Sequence, residues 1–323
     1  MSNFLKQIEK NGLKNFYLLY GTENYLIEHY INQIKKKIIP NDFSDMNFNF
    51  FEENATAIIN SAMALPFMNQ YRLIIVKNSG FFYSGKKNET ELIFDNIADF
   101  PQSSIIIFWE SKIDKRNKLY KKICEVGDAF EIKTPSDKEL IKWIKKVCSA
   151  ADKIISDENA LLILKTTMGD MNFLRNELDK LICYCDKEIC APDINSLCTK
   201  TIEAGIFNLV AAIGNKNLKL ALEHYNNLIF LKEQPLMILT MIARQFTLIL
   251  QVKTFSQIGE NSIAQKLGIR NFIVNDCLRQ AQNFSCEKLT SAIKECLDID
   301  YKIKTGQITD KLALETLIVK YCN

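Results

Sequence analysis

Along the first 133 residues, short apolar runs alternate with amphipathic stretches. The runs Phe16–Tyr20, Phe48–Phe51, Leu73–Val76, Ile105–Trp109 and Ala129–Ile132 are rich in aromatic and β-branched residues, the signature of buried strands. Between them, Leu26–Ile39, Ala55–Met63, Glu91–Phe100 and Arg116–Val126 place apolar residues at helical spacing. Strands separated by helices of this length predict β-α units, hence a mainly parallel sheet with helices on both faces.

Beyond Lys133 every periodic segment predicts a helix. Ser136 followed by Glu139 forms a capping box that opens the first. Helices are expected over Lys138–Ala150, Glu158–Thr167 and Asn172–Tyr184, and then, past the loose Thr199–Gly205 joint, over Phe207–Ile213, Leu218–Lys232, Leu236–Phe255, Phe272–Gln282, Cys286–Lys304 and Asp310–Cys322. The reading is α/β plus all-α: an α/β part at 1–134, a small helical lid at 135–203 and a helical C-terminal part at 204–323. At 323 residues the chain exceeds one comfortable core, which agrees with several parts.

One break in the pattern stands out. Leu65-Pro66-Phe67-Met68 separates a predicted helix from a predicted strand, and Pro66 disfavours helix at Leu65. Turns usually run over the surface on polar residues and Gly. A turn made of Leu, Phe and Met is either folded inward as core, the commoner fate of apolar residues beside a buried strand, or held outward for a partner.

Composition narrows the partner classes. Hydrophobic residues make up 47% and charged residues 24%, as in ordinary globular proteins, and the net charge is only +3. That excludes a generally polybasic nucleic-acid binder but not local patches such as Lys35-Lys36-Lys37. MSNFLKQIEKNG has no apolar h-region, so a cytoplasmic protein is expected. Leu236–Val252 is apolar enough to resemble a membrane span, but Arg244 and Gln245 break its centre. A buried soluble helix with a paired Arg244 is expected, and no membrane. Cys183, Cys185, Cys190 and Cys198 lack paired C-x2-C spacing, and His29 and His224 have no Cys or acidic neighbours at ligand spacing. No metal is expected.

An α/β part, a helical lid and a helical bundle are the outline of an AAA+ module with a collar, so nucleotide machinery must be sought. A phosphate loop after the first strand needs G-x4-G-K-[ST]. Gly21-Thr22-Glu23-Asn24-Tyr25 offers one Gly, no Lys, and a carboxylate where phosphates would sit. Gly80 to Lys87 has both glycines and Lys86, but it follows the third strand and carries Lys87 at the magnesium-hydroxyl position. Glu110 ends a Walker-B-like strand without the preceding Asp, and Glu52-Glu53 reads as solvated surface. No hydrolase elbow or zinc-protease motif occurs. No catalytic residue and no cofactor are expected. The alternatives are a P-loop NTPase using Gly80–Lys87 and a zinc-bearing nucleic-acid module using Cys183–Cys198.

Several stretches in order resemble the delta subunits of bacterial DNA polymerase III clamp loaders. FYLLYGTENYLIEHYI resembles their strand, Gly-acidic turn and helix, and ALPFMNQYRLIIVKN their Leu-Pro-Phe helix end, basic residue and strand. GDMNFLRNELDKLICYC matches the lid signature at Leu174, Glu177, Lys180 and Leu181. PLMILTMIARQFTLILQVK resembles the longest collar helix, and CLDIDYKIKTGQITDKLALETLIVKY the collar ending, with Asp300, Lys302, Lys304, Gly306 and Glu315 in register. The resemblance implies an AAA+ fold without an ATPase site, in a pentamer with delta-prime and gamma/tau subunits. It implies binding and opening of the β sliding clamp for loading on primer-template DNA. The contact it implies is an apolar plug at Leu65, Pro66 and Phe67, with Met68 in support. Many members have adjacent Leu and Phe, whereas here Pro66 intervenes. Glu177 with Lys180 reads as an exposed ion pair or lid tether, and Lys302, Lys304 and Lys311 as solvated.

Overall fold

The computed structural model describes Ile8 and residues 12–39, 44–83 and 86–322. The chain divides into two compact units, Met1–Pro135 and Ser136–Asn323.

The first unit runs β1 (Phe16–Tyr20), α1 (Asn24–Ile38), α2 (Ser44–Asn47), β2 (Phe48–Phe51), α3 (Ala55–Met63), β3 (Arg72–Lys77), α4 (Lys87–Asn96), β4 (Ser104–Glu110), α5 (Lys118–Val126) and β5 (Asp128–Glu131). Its five strands form one sheet in the order β2-β3-β4-β1-β5. Every pairing is parallel. Phe16, Leu18, Tyr20, Ile74, Val76, Ile106 and Phe108 lie on one face, in a single core with Ile58, Ile93, Leu119 and Ile123 of α3, α4 and α5. The alternate residues Tyr17, Leu19, Leu73, Ile75, Ile105 and Ile107 are also buried. Burial on both faces explains why β1, β3 and β4 read as unbroken apolar runs rather than alternating ones.

The second unit runs α6 (Asp137–Ser149), β6 (Ile154–Ile155), α7 (Asp157–Thr166), α8 (Met171–Tyr184), β7 (Glu188–Ile189), α9 (Ala191–Leu197), α10 (Ile202–Gly214), α11 (Leu218–Phe230), α12 (Pro235–Thr254), α13 (Glu260–Leu267), α14 (Asn271–Ala281), α15 (Cys286–Lys304) and α16 (Asp310–Cys322). The capping box at Ser136 and Glu139 is present, with both reciprocal bonds made. Strands do not stop at Lys133: β6 and β7 pair in parallel. Each is two residues long, too short for any period to show in the sequence. The helices α9 and α13, seven and eight residues long, were likewise not expected. The helices from α10 onward share one apolar core that includes Ile242, Phe246, Ile249, Leu289, Leu314 and Ile318.

By length and composition α12 could cross a membrane, but one of its stripes, Ile238, Ile242, Phe246, Ile249 and Val252, is core of this bundle. Arg244 corrects an expectation: it is exposed, not a buried pairing partner. The helical phase that buries residues 242, 245, 246 and 249 turns position 244 outward. The buried polar residue is Gln245, whose Nε2 donates to Gln280 Oε1 at 3.3 Å.

Candidate partner-binding site

The segment 64–71 joins α3 to β3. Ala64 leaves the helix with extended backbone, and the chain then turns outward. Leu65 and Met68 are each 75% exposed and Phe67 is 47% exposed, with Met63 beside them at the helix end partly exposed as well. The inward reading of this turn is therefore overturned. Pro66 explains why α3 stops, since helix is disfavoured at the residue before a proline.

The backbone of this apolar turn is held at several points. The Ser104 hydroxyl donates to the Ala62 carbonyl at 2.6 Å. Asn47, fully buried at the end of α2, bonds Phe67 twice: its Nδ2 donates to the Phe67 carbonyl at 2.8 Å and its Oδ1 accepts from the Phe67 N–H at 2.7 Å. Asn69 Nδ2 donates to the carbonyls of Ile38 at 3.0 Å and Tyr71 at 2.7 Å. Arg72 reaches across to Asn49 Oδ1 at 2.8 Å, which also accepts from the Ser61 hydroxyl at 2.9 Å. Met68 sits at φ +47°, left-handed backbone that a non-glycine residue adopts at a cost of about 1–2 kcal/mol. An exposed apolar side chain on strained, firmly bonded backbone is the mark of a presented surface. The asparagines that hold it carry no sequence motif. Only the anomalous corner itself was legible.

All five strands being parallel, the corner enters β3 at one end of the sheet, and the turns after β1, β3 and β4 lie at the other. That second end is where α/β folds bind phosphates. Here it is built for packing. Gly21 has φ +139°, and a Cβ on it would lie 2.1 Å from the Ile132 carbonyl oxygen, so the glycine serves the approach of backbone after β5. Glu23 is the N-cap of α1, putting a carboxylate-bearing residue at the helix end where a phosphate would bind. Glu110, 2% exposed, accepts from the Ser79 N–H at 2.9 Å and the Ser79 hydroxyl at 2.5 Å. Burial pushes its carboxyl above the ordinary value, against the lowering effect of its bonds to Ser79 and Gly80.

In the Gly80–Lys87 stretch, Ser84 and Gly85 lie outside the described residues. Phe81 and Phe82 are core, and the Phe81 carbonyl accepts from Thr90 and Asn117. Lys86 pairs with Glu53 at 3.0 Å. Its described residues are thus engaged in packing and local pairing.

Other sequence-marked residues have local partners. Glu177 corrects the expectation of an exposed pair: it is 2% exposed, bonded to Lys180 at 2.6 Å, and it accepts from the Thr199 N–H at 3.1 Å. The pair anchors the chain between α9 and α10, so a periodic charged position is buried by a connecting segment that helix phase alone does not reveal. Lys302 and Lys304 pair with Asp298 and Asp300 one turn earlier, each at 2.6 Å, while Lys311 is exposed. Lys35 lies 3.6 Å from the Phe48 ring centre. His29 bonds Gln33 at 2.8 Å, and partial burial lowers the pKa of His224. Cys183 is exposed, Cys185 buried, and Cys190 and Cys198 half-buried. Burial raises the Cys198 thiol to about 12. Among the described residues no group of three or more His, Cys, Asp or Glu is arranged to hold a metal. A cavity of about 520 Å³ in the helical unit is lined by Lys165, Lys200 and Arg279, but Asp276 pairs with both Lys165 and Arg279.

Comparison with known proteins gives these features a family. Residues 17–133 match the family model described as DNA polymerase III, delta subunit, and residues 203–321 match the C-terminal domain of the same subunit. The chain is 29% identical to the DNA polymerase III subunit delta of Bacillus subtilis, over 98% of this chain and 95% of that one. It is 24% identical to a probable DNA polymerase III subunit delta of Aquifex aeolicus, over 79% and 76% of the two chains. Its fold is similar to the solved Bacillus subtilis DNA clamp loader delta protein, with a TM-score of 0.72, 28% identity and 98% of each chain covered. With both its parallel-sheet unit and its helical C-terminal part accounted for in this way, the chain belongs to the DNA polymerase III delta subunit family, an AAA+-like clamp-loader component of the polymerase holoenzyme.

Proposed function

We propose that this chain binds the β sliding clamp through the Leu65–Met68 corner and opens the ring for loading onto primer-template DNA. It does so in the cytoplasm, as part of an assembly with delta-prime and gamma/tau subunits. The observation that carries this reading is the corner itself: three large apolar side chains face solvent on a segment held by the side chains of Asn47 and Asn69. Phe67 and Leu65 are the anchors, each worth roughly 2–4 kcal/mol as a hot spot in an apolar pocket. Pro66 and the side-chain bonds lower the ordering cost of binding. Opening requires only tighter binding to the open than to the closed ring, because a ligand shifts an equilibrium by its differential affinity.

No bond chemistry is assigned to this chain. The end of the sheet where a nucleotide would bind carries Gly21 against Ile132 and a carboxylate-bearing N-cap, which supports a module that leaves ATP hydrolysis to its neighbours. In the same reading, 1–134 is the AAA+-like domain with the clamp-binding corner, 135–203 the lid and 204–323 the collar.

Phe67→Ala tests the reading. The variant is expected to lose clamp binding by at least about 30-fold, the equivalent of roughly 2 kcal/mol, with its circular dichroism and unfolding midpoint preserved. A variant that aggregates or unfolds while its folded fraction still binds the clamp returns Phe67 to the core.

A further inference from the structure

We infer that Asn47 is the positioning residue of the corner: its buried carboxamide fixes the direction in which Phe67 is presented, and clamp affinity depends on it. The inference rests on the clamp reading above.

Asn47 lies twenty positions before Phe67, as the last residue of α2 and next to the edge strand β2. Its side chain is fully buried, yet it bonds a residue that is 47% exposed. Both ends of the carboxamide engage the same partner, donating to the Phe67 carbonyl and accepting from the Phe67 N–H, at 2.8 and 2.7 Å. One donor and one acceptor on a single residue fix the two peptide planes that flank its Cα. With both planes fixed, the Cα–Cβ direction is set as well.

The neighbours reinforce this. Pro66 has its φ fixed by the ring, and Met68 occupies a left-handed φ of +47°. Of the three residues, Phe67 alone has no conformational restriction of its own. Asn47 supplies one from outside the turn. Without the carboxamide, Phe67 N–H and C=O turn to water, and the ordering of the turn must be supplied at the moment of binding.

The test uses the full chain and purified β clamp, with affinity measured by surface plasmon resonance. Asn47→Ala is expected to weaken binding about 2- to 10-fold, the range given by ordering one such element on association. It is expected to speed amide exchange at Phe67 in the free protein. Asn47→Asp has the same size but as a carboxylate has no donor for the Phe67 carbonyl, and at a pH where it is ionised it should weaken binding as well. The factor lost through Asn47→Ala should persist in a Leu65→Ala background and shrink in Phe67→Leu, because the effect runs through Phe67. Unchanged affinity in Asn47→Ala, or equal factors in the two backgrounds, overturns the inference. So does loss of cooperative unfolding in both Asn47 variants, which would assign the residue to the fold alone. If Phe67→Ala and Leu65→Ala themselves leave clamp binding intact, it is the clamp reading that fails.

Discussion

At the scale of single residues, the informative positions are polar side chains that the apolar pattern hides. Asn47, Glu110 and Glu177 are each at most 2% exposed, and each holds a backbone N–H of a distant segment: Phe67, Ser79 and Thr199. Asn47 carries no mark in the sequence, and Glu110 and Glu177, though marked there by position, do not show their burial, because a buried polar residue is defined by its partner and not by its neighbours along the chain. The exposed apolar corner could be recognised, since it violates the usual chemistry of turns. Glu110 carries a pH dependence. Its carboxyl titrates higher in the folded chain than its ordinary value of 4.5, because burial disfavours the charge. Its stabilising contribution is thus complete below 4.5 and is lost as pH rises through the raised value. Glu110→Gln removes that loss. Denaturant titrations over a pH series should show wild type losing stability relative to the variant, by up to about 1.4 kcal/mol per pH unit inside the window. A difference that stays constant with pH contradicts the assignment.

At the scale of elements, the five main strands fall within a residue or so of the apolar runs that predict them; in β1, β3 and β4 two-sided burial leaves a strong signal, while β2 and β5 are only partly buried. The two-residue strands β6 and β7 and the short helices α9 and α13 were not legible: each is fixed by packing in the helical unit, not by its own periodicity. Gly21 shows how an element end can be misread. By position it belongs to a phosphate loop; by geometry it admits the backbone at Ile132, whose N–H bonds the Tyr20 carbonyl at 2.7 Å. Gly21→Ala forces a Cβ into the 2.1 Å approach at a φ of +139°. It is expected to destabilise the sheet unit by about 2 kcal/mol or more, read as a lower urea midpoint. A near-neutral result would free Gly21 for another role.

At the scale of the whole molecule, the order of strands and helices predicted an AAA+-like outline, and family membership followed from motifs spread along the whole chain. The chain divides into its two compact units between Pro135 and Ser136. The residues from 136 onward hold their own apolar core, from Ile206 to Cys322. Expressed alone, 136–323 is expected to give a helical circular dichroism spectrum and one cooperative thermal transition; a non-cooperative melt would show that it depends on the rest of the chain.

The corner leads directly into β3, which lies inside the sheet and is paired along its length with both β2 and β4. Load passed along β3 from the corner would be resisted by two hydrogen-bond ladders sheared together, the stiff direction of a sheet. Mounted on an edge strand, the same corner would peel away one bond at a time. On the proposed clamp-opening reading, the corner is anchored where the fold yields least.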